Sequence, residues 1–205
     1  MSSYGQDFWN ERYDSEDYLF GVEPAAFLRA QAHHITPHSR VLVPADGEGR
    51  NSVYLASLGH DVVATDFAPN ALAKARDLAS KAGVRIDFRQ VDLFSWTWPE
   101  SEFDAIAAVF VQFAPPTERA RMFEGMKLAL RPGGVLLLHG YTPKQLEYGT
   151  GGPKDVAHLY TDELLAAAFE GWDVSRLVSY EAELSEGSGH SGRSAVVDLI
   201  ARKPA

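Results

Sequence analysis

The stretch VLVPADGEGRNSVYLASLGHDVVATDF (41–67) decides how the chain is read. It opens on an apolar run, RVLVP (40–44), short enough for a buried strand. A turn follows in which Gly47 and Gly49 alternate with the acids Asp46 and Glu48. GRNSVYLASLGH then has helical character and stops at Gly59, a residue suited to the left-handed C-cap position. DVVATD (61–66) is a second apolar strand that ends in an acid. Strand, glycine turn, helix and strand make a βαβ unit whose helix N-terminus faces a ligand.

The same rhythm continues on both sides. Upstream, VEPAAFLRAQAHHI (22–35) reads as a helix with Pro24 in its first turn. Downstream, APNALAKARDLASKAG is an amphipathic helix closed by Gly83, and RIDFRQVD (85–92) alternates like a strand. FDAIAAVFVQF (103–113) is a near-continuous apolar run, as a strand covered on both faces should be. PTERARMFEGMKLAL is a helix, RPGG a turn, and VLLLHGY (135–141) a central strand. Then the pattern changes. A helix TDELLAAAF (161–169), capped by Thr161, precedes DVSRLVSYEAEL (173–184) and SAVVDLIARK (194–203), joined by the polar SEGSGHSG. These two strands predict a closing antiparallel hairpin. TPKQLEYGTGGPKDVAH (142–158) is the one long Gly/Pro-rich connection, and such a loop is a candidate active-site cover.

Bulk properties narrow the function. The 205 residues suggest one domain, with 45% hydrophobic and 23% charged residues. The net charge of -9 argues against a nucleic-acid partner. The chain has no cysteine, which excludes disulfides, thiolate metal ligands and a cysteine nucleophile. No run approaches the roughly 18 apolar residues of a membrane span, and the polar, aromatic start has no leader pattern. A cytoplasmic protein, monomer or homodimer, is the expectation.

The turn could serve several ligands. Gly47-Glu48-Gly49-Arg50-Asn51-Ser52 differs from G-x-G-x-x-G only by Ser52 at the third glycine, and no Gly-Lys-Ser/Thr follows as a P-loop requires. Asp46 and Glu48 would repel a pyrophosphate, although Arg50 offsets part of that charge. They suit a cationic ligand such as S-adenosylmethionine, whose carboxylate the helix start can still hold. Asp66 lies about 20 residues beyond the turn, where an acid accepts hydrogen bonds from ribose hydroxyls of either cofactor. Asp92 ends the third strand, where it can meet an adenine amino group with Leu93 and Phe94 beside the ring. An NAD-dependent reductase is kept open by the glycine turn alone, and no Tyr-x-x-x-Lys pair supports it.

Taken in order, VLVPADGEGR, VVATDFAPNALAKAR, VDLFSW, FDAIAAVFVQF, LRPGGVLLL and the final hairpin resemble the class I S-adenosylmethionine-dependent methyltransferases over nearly the whole length. DFWNERYDSEDYLFGVEPAAFL is similar to the N-terminal lid of small enzymes of the tellurite-resistance and thiopurine S-methyltransferase type. The resemblance implies a Rossmann-like α/β fold. Its seven-stranded, mostly parallel sheet would have order 3-2-1-4-5-7-6, strand 7 antiparallel, with helices on both faces. It implies a single domain with residues 1–24 as lid and 25–205 as core. It further implies S-adenosylmethionine as cofactor, with Asp46, Gly47, Gly49, Asp66, Phe67, Asp92, Leu93, Val109, Gln112 and Gly21 around it. One departure is clear: the class usually has an acid where Val43 stands and glycine where Ala45 stands.

The acceptor is open. A sulfonium methyl is already activated, so the protein chiefly aligns the reactants and excludes water. Thiols and chalcogen anions need little base assistance, and a soft nucleophile is the preferred small-molecule acceptor. Candidate bases or acceptor contacts are His139 at the end of the fifth strand, Tyr148 in the 142–158 loop, and His190 at a hairpin tip expected to be exposed. With a histidine base, O- or N-methylation is the alternative. A non-catalytic S-adenosylmethionine-binding protein is a further one. His33, His34 and His38 read as a solvated helix end, and no metal site is expected.

Overall fold

The computed structural model describes residues 5–205. Seven strands form one sheet: β1 (Arg40–Pro44), β2 (Asp61–Asp66), β3 (Asp87–Gln90), β4 (Phe103–Val109), β5 (Leu130–Tyr141), β6 (Asp173–Glu186) and β7 (His190–Arg202). Their order is β3-β2-β1-β4-β5-β7-β6. β1 to β5 pair in parallel, and β7 runs antiparallel to both β5 and β6. This is the Rossmann-like methyltransferase arrangement that the chain's resemblance implied.

Alternation along each strand explains why both faces are covered. Val41, Val43, Val62, Ala64, Ala105, Ala107 and Leu137 point to one face. There they pack on Phe27 and Leu28 of α2 (Ala26–Gln31) and Leu55 of α3 (Arg50–Ser57). Leu42, Val63, Ile106, Ala108, Leu136 and Leu138 point to the other. They meet Met122, Phe123 and Met126 of α5 (Pro116–Ala129) and Leu165 of the helix Asp162–Ala168. Successive side chains on a strand face opposite ways, so a run with no polar residue must be buried twice. The Thr161 hydroxyl accepts from the Leu164 N–H at 3.1 Å, as its sequence position suggests.

Four expectations shift. Helix α2 begins at Ala26, so Pro24 precedes it instead of sitting in its first turn. The third strand is only Asp87–Gln90. The fourth stops at Val109, because Phe110 takes φ +57, outside the strand region, and turns the chain away from the sheet. Pairing of β6 and β7 runs on to Glu186↔His190, which leaves only residues 187–189 as the connection. The expected eight-residue polar loop is therefore a tight turn, with Gly187 at φ +70. No described helix is long and apolar enough to cross a membrane.

Candidate active site

The carboxyl ends of the parallel strands open onto a cavity of about 450 Å³. Asp46 and Gly47 follow β1, Asp66 ends β2 with Phe67 just after it, and Val91, Asp92 and Leu93 follow β3. Val109, Phe110, Gln112 and Phe113 leave β4, and all of these line the cavity. The first helix, α1 (Gln6–Arg12), and the segment after it close one side with Phe8, Trp9, Tyr13 and Phe20. Tyr13 is buried in a cluster with Ala71 of the long helix α4 (Pro69–Ala82) and Ala68 just before it, where Trp9, Leu19, Phe20 and Phe67 pack. A Cβ on Gly47 would lie 3.0 Å from the Tyr13 hydroxyl, so the glycine lets the lid approach the turn. Lys74 of α4 pins the lid from below. Its ammonium donates to Ser15 O at 2.9 Å and Asp17 O at 2.6 Å and pairs with buried Glu48 at 2.5 Å.

Three acids face the cavity from β1, β2 and β3. Asp66 accepts from the Gly47 N–H and the Ala68 N–H, each at 2.9 Å, one on each oxygen. A carboxylate has about four lone-pair sites, so it keeps capacity for a ligand's hydroxyls. Burial pushes its pKa up to about 6, against the pull of those N–H groups. Asp46 receives the Ser52 hydroxyl and, at 3.3 Å, the Ser52 N–H. Burial raises it to about 7, with the Ser52 hydrogen bonds opposing. Asp92 is exposed and accepts from the Phe94 N–H at 3.0 Å, leaving its second oxygen toward Ser95. The lining cations are Arg12 and Lys154, both exposed, and Arg50, which is buried and pairs with Glu186 at 2.8 Å.

Not every sequence candidate reaches the cavity. Gly49 lies behind it, where a Cβ would come within 2.8 Å of the Ala75 Cβ. Its role is a close crossing of α3 and α4. Gly21 backs onto Gly187 of the hairpin turn. Gln112 lines the cavity, but its amide braces neighbouring backbone, donating to Tyr141 O at 2.9 Å and His158 O at 3.3 Å. His139 is only 2% exposed and sits in the sheet, with Nδ1 2.7 Å from Asp198 and its ring stacked 4.7 Å from Phe27. Arg176 and Tyr180, both half-buried, also donate to Asp198. Tyr148 donates to Glu181 at 2.7 Å on the outer surface, beside Lys144 and Arg193. Neither His139 nor Tyr148 lines the cavity.

His190 does the reverse of what its loop context suggested. It is 7% exposed and lines the cavity, wedged between Phe110 at 4.1 Å and Phe20 at 4.4 Å. The hairpin turn folds back onto the lid: Gly189 N–H donates to Leu19 O at 2.9 Å, and the Ala26 N–H donates to Glu186 at 3.0 Å. Phe110, Tyr141 and the Arg50–Glu186 pair are site features that sequence reading missed. Phe110 looked like core within an apolar run, and the ion pair joins residues far apart in the chain. Among the described residues no group of three potential metal ligands comes together.

Residues 41–134 match the family model described as a methyltransferase domain. The glycine/sarcosine N-methyltransferase of Halorhodospira halochloris is 31% identical over 145 residues, which is 62% of this chain and 53% of that protein. The chain spans about half the length of the curated relatives it matches. N-methyltransferase NodS from Bradyrhizobium japonicum, solved with S-adenosyl-L-homocysteine, superposes with TM-score 0.73 at 16% identity, over 98% of both chains. TehB from Haemophilus influenzae gives TM-score 0.72 at 21% identity, over 97% of this chain and 66% of that one. The sheet order and the strand-end cavity are those of a class I methyltransferase. The family match covers the glycine turn and the central strands, residues 41–134, within a sheet of that order.

Proposed function

We propose that this protein binds S-adenosylmethionine at the strand-end cavity and transfers its methyl group to a small-molecule acceptor. The supporting observation is the charge arrangement. Asp46, Asp66 and Asp92 face one cavity whose deep cation, Arg50, is already committed to Glu186. A pyrophosphate would meet three carboxylates with only the exposed Arg12 and Lys154 to offset them, whereas a sulfonium and an ammonium meet carboxylates directly. Asp66 is the partner for ribose hydroxyls, Asp92 for the adenine amino group, and Gly47 with its neighbouring N–H groups for the carboxylate. Asp46, Phe67, Leu93 and Val109 complete the cofactor's surroundings. Residues up to Pro24 serve as the lid, and those of them before Gly5 lie outside the described residues. The protein's part in the reaction is alignment and exclusion of water.

The preferred acceptor is a soft nucleophile, a thiol or a chalcogen anion. The aromatic lining by Phe20, Phe110 and Tyr141 supports a polarisable group at the acceptor end. Base-assisted O- or N-methylation is the second reading, favoured by a His190 ring that lines the cavity beside Glu186. Calorimetric titration with S-adenosylmethionine, S-adenosylhomocysteine and NADH tests the cofactor. Micromolar binding of the first two is expected. A hydrogen bond to a charged group contributes about 1.5–3 kcal/mol, so Asp66→Ala should weaken it roughly 10- to 100-fold. Binding of NADH alone would refute the proposal.

A further inference from the structure

His190 stands apart from the other titratable groups of the cavity. Its Nδ1 is sealed from solvent without a hydrogen-bond partner, 3.9 Å from Glu186 Oε2. Its Nε2 makes no hydrogen bond to the protein and is not among the sealed atoms. A carboxylate beside Nδ1 favours the tautomer with the proton on Nδ1, which leaves the lone pair on Nε2. Glu186 is itself fixed from two sides, by Arg50 at 2.8 Å and by the Ala26 N–H at 3.0 Å. Arg50 opens the helix that follows the glycine turn and also donates to Phe20 O at 3.2 Å. One chain of contacts thus runs from the cofactor turn through Arg50 and Glu186 to His190.

We infer that His190 is the proton acceptor of the reaction, positioned by Glu186, and that the soft acceptor enters as the protonated thiol and not as an anion. This rests on the methyltransferase reading above. The step balances without any further reagent. The acceptor's X–H bond breaks and its proton goes to His190 Nε2. The freed pair on X forms the new bond to the methyl carbon, and the old carbon–sulfur pair stays on sulfur. The imidazolium then faces Glu186 and returns its proton to solvent when the product leaves.

The surroundings fit an uncharged acceptor. Phe20 and Phe110 pack on the ring, and Tyr141 meets it edge-on at 5.7 Å. Burial keeps the Tyr141 hydroxyl well above its ordinary pKa, so it stays neutral. The charged or titratable groups acting on His190 are Glu186 of β6, Arg50 of α3 and His139 of β5. Burial lowers the ring's pKa, Arg50 and His139 act the same way, and Glu186 opposes them. The imidazole is therefore neutral, and able to take a proton, at neutral pH.

The test uses the whole protein, S-adenosylmethionine and two probe thiols. Benzyl thiol stays protonated near pH 7, and 4-nitrothiophenol is already ionised there. For benzyl thiol, kcat/KM should rise through the ionisation of His190, on the acid side of the ordinary histidine range, and then level off. A rise of tenfold per unit continuing to pH 8 would mean that the thiolate binds, and would overturn the inference. His190→Asn should lower kcat/KM for benzyl thiol roughly 100-fold or more and that for 4-nitrothiophenol only a few-fold. Equal losses would make the role structural. Glu186→Gln should shift the benzyl thiol profile to lower pH, and nitrogen-15 NMR of the His190 ring should show the same displacement. An unmoved ring pKa would remove Glu186 from its positioning role. If neither thiol turns over, benzyl thiol added to the S-adenosylhomocysteine complex must still shift the His190 ring signals; no shift overturns the inference. Failure to bind S-adenosylhomocysteine at all would instead refute the cofactor reading.

Discussion

Replacing Gly49 by alanine separates a packing role from a ligand-binding one. Gly49 has φ +92, and an added Cβ would stand 2.8 Å from the Ala75 Cβ and 2.9 Å from its Cα. Carbon atoms prefer roughly 3.5–4.0 Å, so α3 and α4 would have to separate. Placing a non-glycine residue in the left-handed region costs about 1–2 kcal/mol. Overpacking a close contact costs about 1–3 kcal/mol more. The stiffer unfolded chain returns roughly 0.4–1 kcal/mol, which leaves a net loss of about 1–4.5 kcal/mol. With an m-value of about 2 kcal/mol/M, the urea midpoint followed by circular dichroism should fall by roughly 0.5–2 M. The folded fraction should bind S-adenosylhomocysteine nearly as well as wild type. Gly47→Ala is the contrast: Gly47 lines the cavity under the Tyr13 hydroxyl, so its larger effect should be on affinity. An unchanged midpoint for Gly49→Ala combined with lost binding would refute this division of roles and return Gly49 to the ligand.

Two other perturbations follow from buried charge. Asp66 is raised in the folded state to about 6, so its contribution to stability is fully present below its unfolded pKa near 4 and is lost as pH rises through about 6. The stability of wild type relative to Asp66→Asn, measured by urea titration without cofactor, should therefore decline by roughly 2–3 kcal/mol between pH 4 and 7; a pH-independent difference would show that Asp66 is not desolvated. His139→Leu removes a partner of the sheet-buried Asp198 and should cost about 1–3 kcal/mol in stability. Its folded fraction should keep the cofactor affinity of wild type and a pH-dependent acceptor reaction, the profile moving slightly to higher pH as the His139 influence on His190 is lost; loss of the pH-dependent step itself would restore His139 as a base.

The order of strands was legible because it depends on local pattern. Buried parallel strands read as apolar runs, and glycines such as Gly83, at φ +70, punctuate the helices between them. The acids of the first three strand ends were legible for the same reason. The acceptor end was not. Phe110 breaks an unbroken apolar run by taking φ +57, which nothing in its type announces. His190 sits between Gly189 and Ser191, a context that reads as a solvated tip. It is buried because Phe20, about 170 positions earlier in the chain, lies against it. The Arg50–Glu186 pair likewise joins an early helix to the last hairpin. Contacts of that range leave no periodic trace in sequence.

The departures around the glycine turn compensate one another. Where the class usually has an acid, Val43 is 1% exposed and belongs to the core shared with α2 and α3. The acid stands three residues later, at Asp46, beyond an alanine held at φ +48. That conformation costs a non-glycine residue free energy, and the flanking bonds hold it: Asp46 N–H to Thr65 O and Gly47 N–H to Asp66, each at 2.9 Å. Ser52, standing where the fingerprint has its third glycine, supplies the hydroxyl that orients Asp46. The displaced acid and the serine thus form one unit. With a pKa of about 7, Asp46 is only partly ionised at neutral pH when no cation is near. An arriving ammonium within about 4–6 Å favours the charged form.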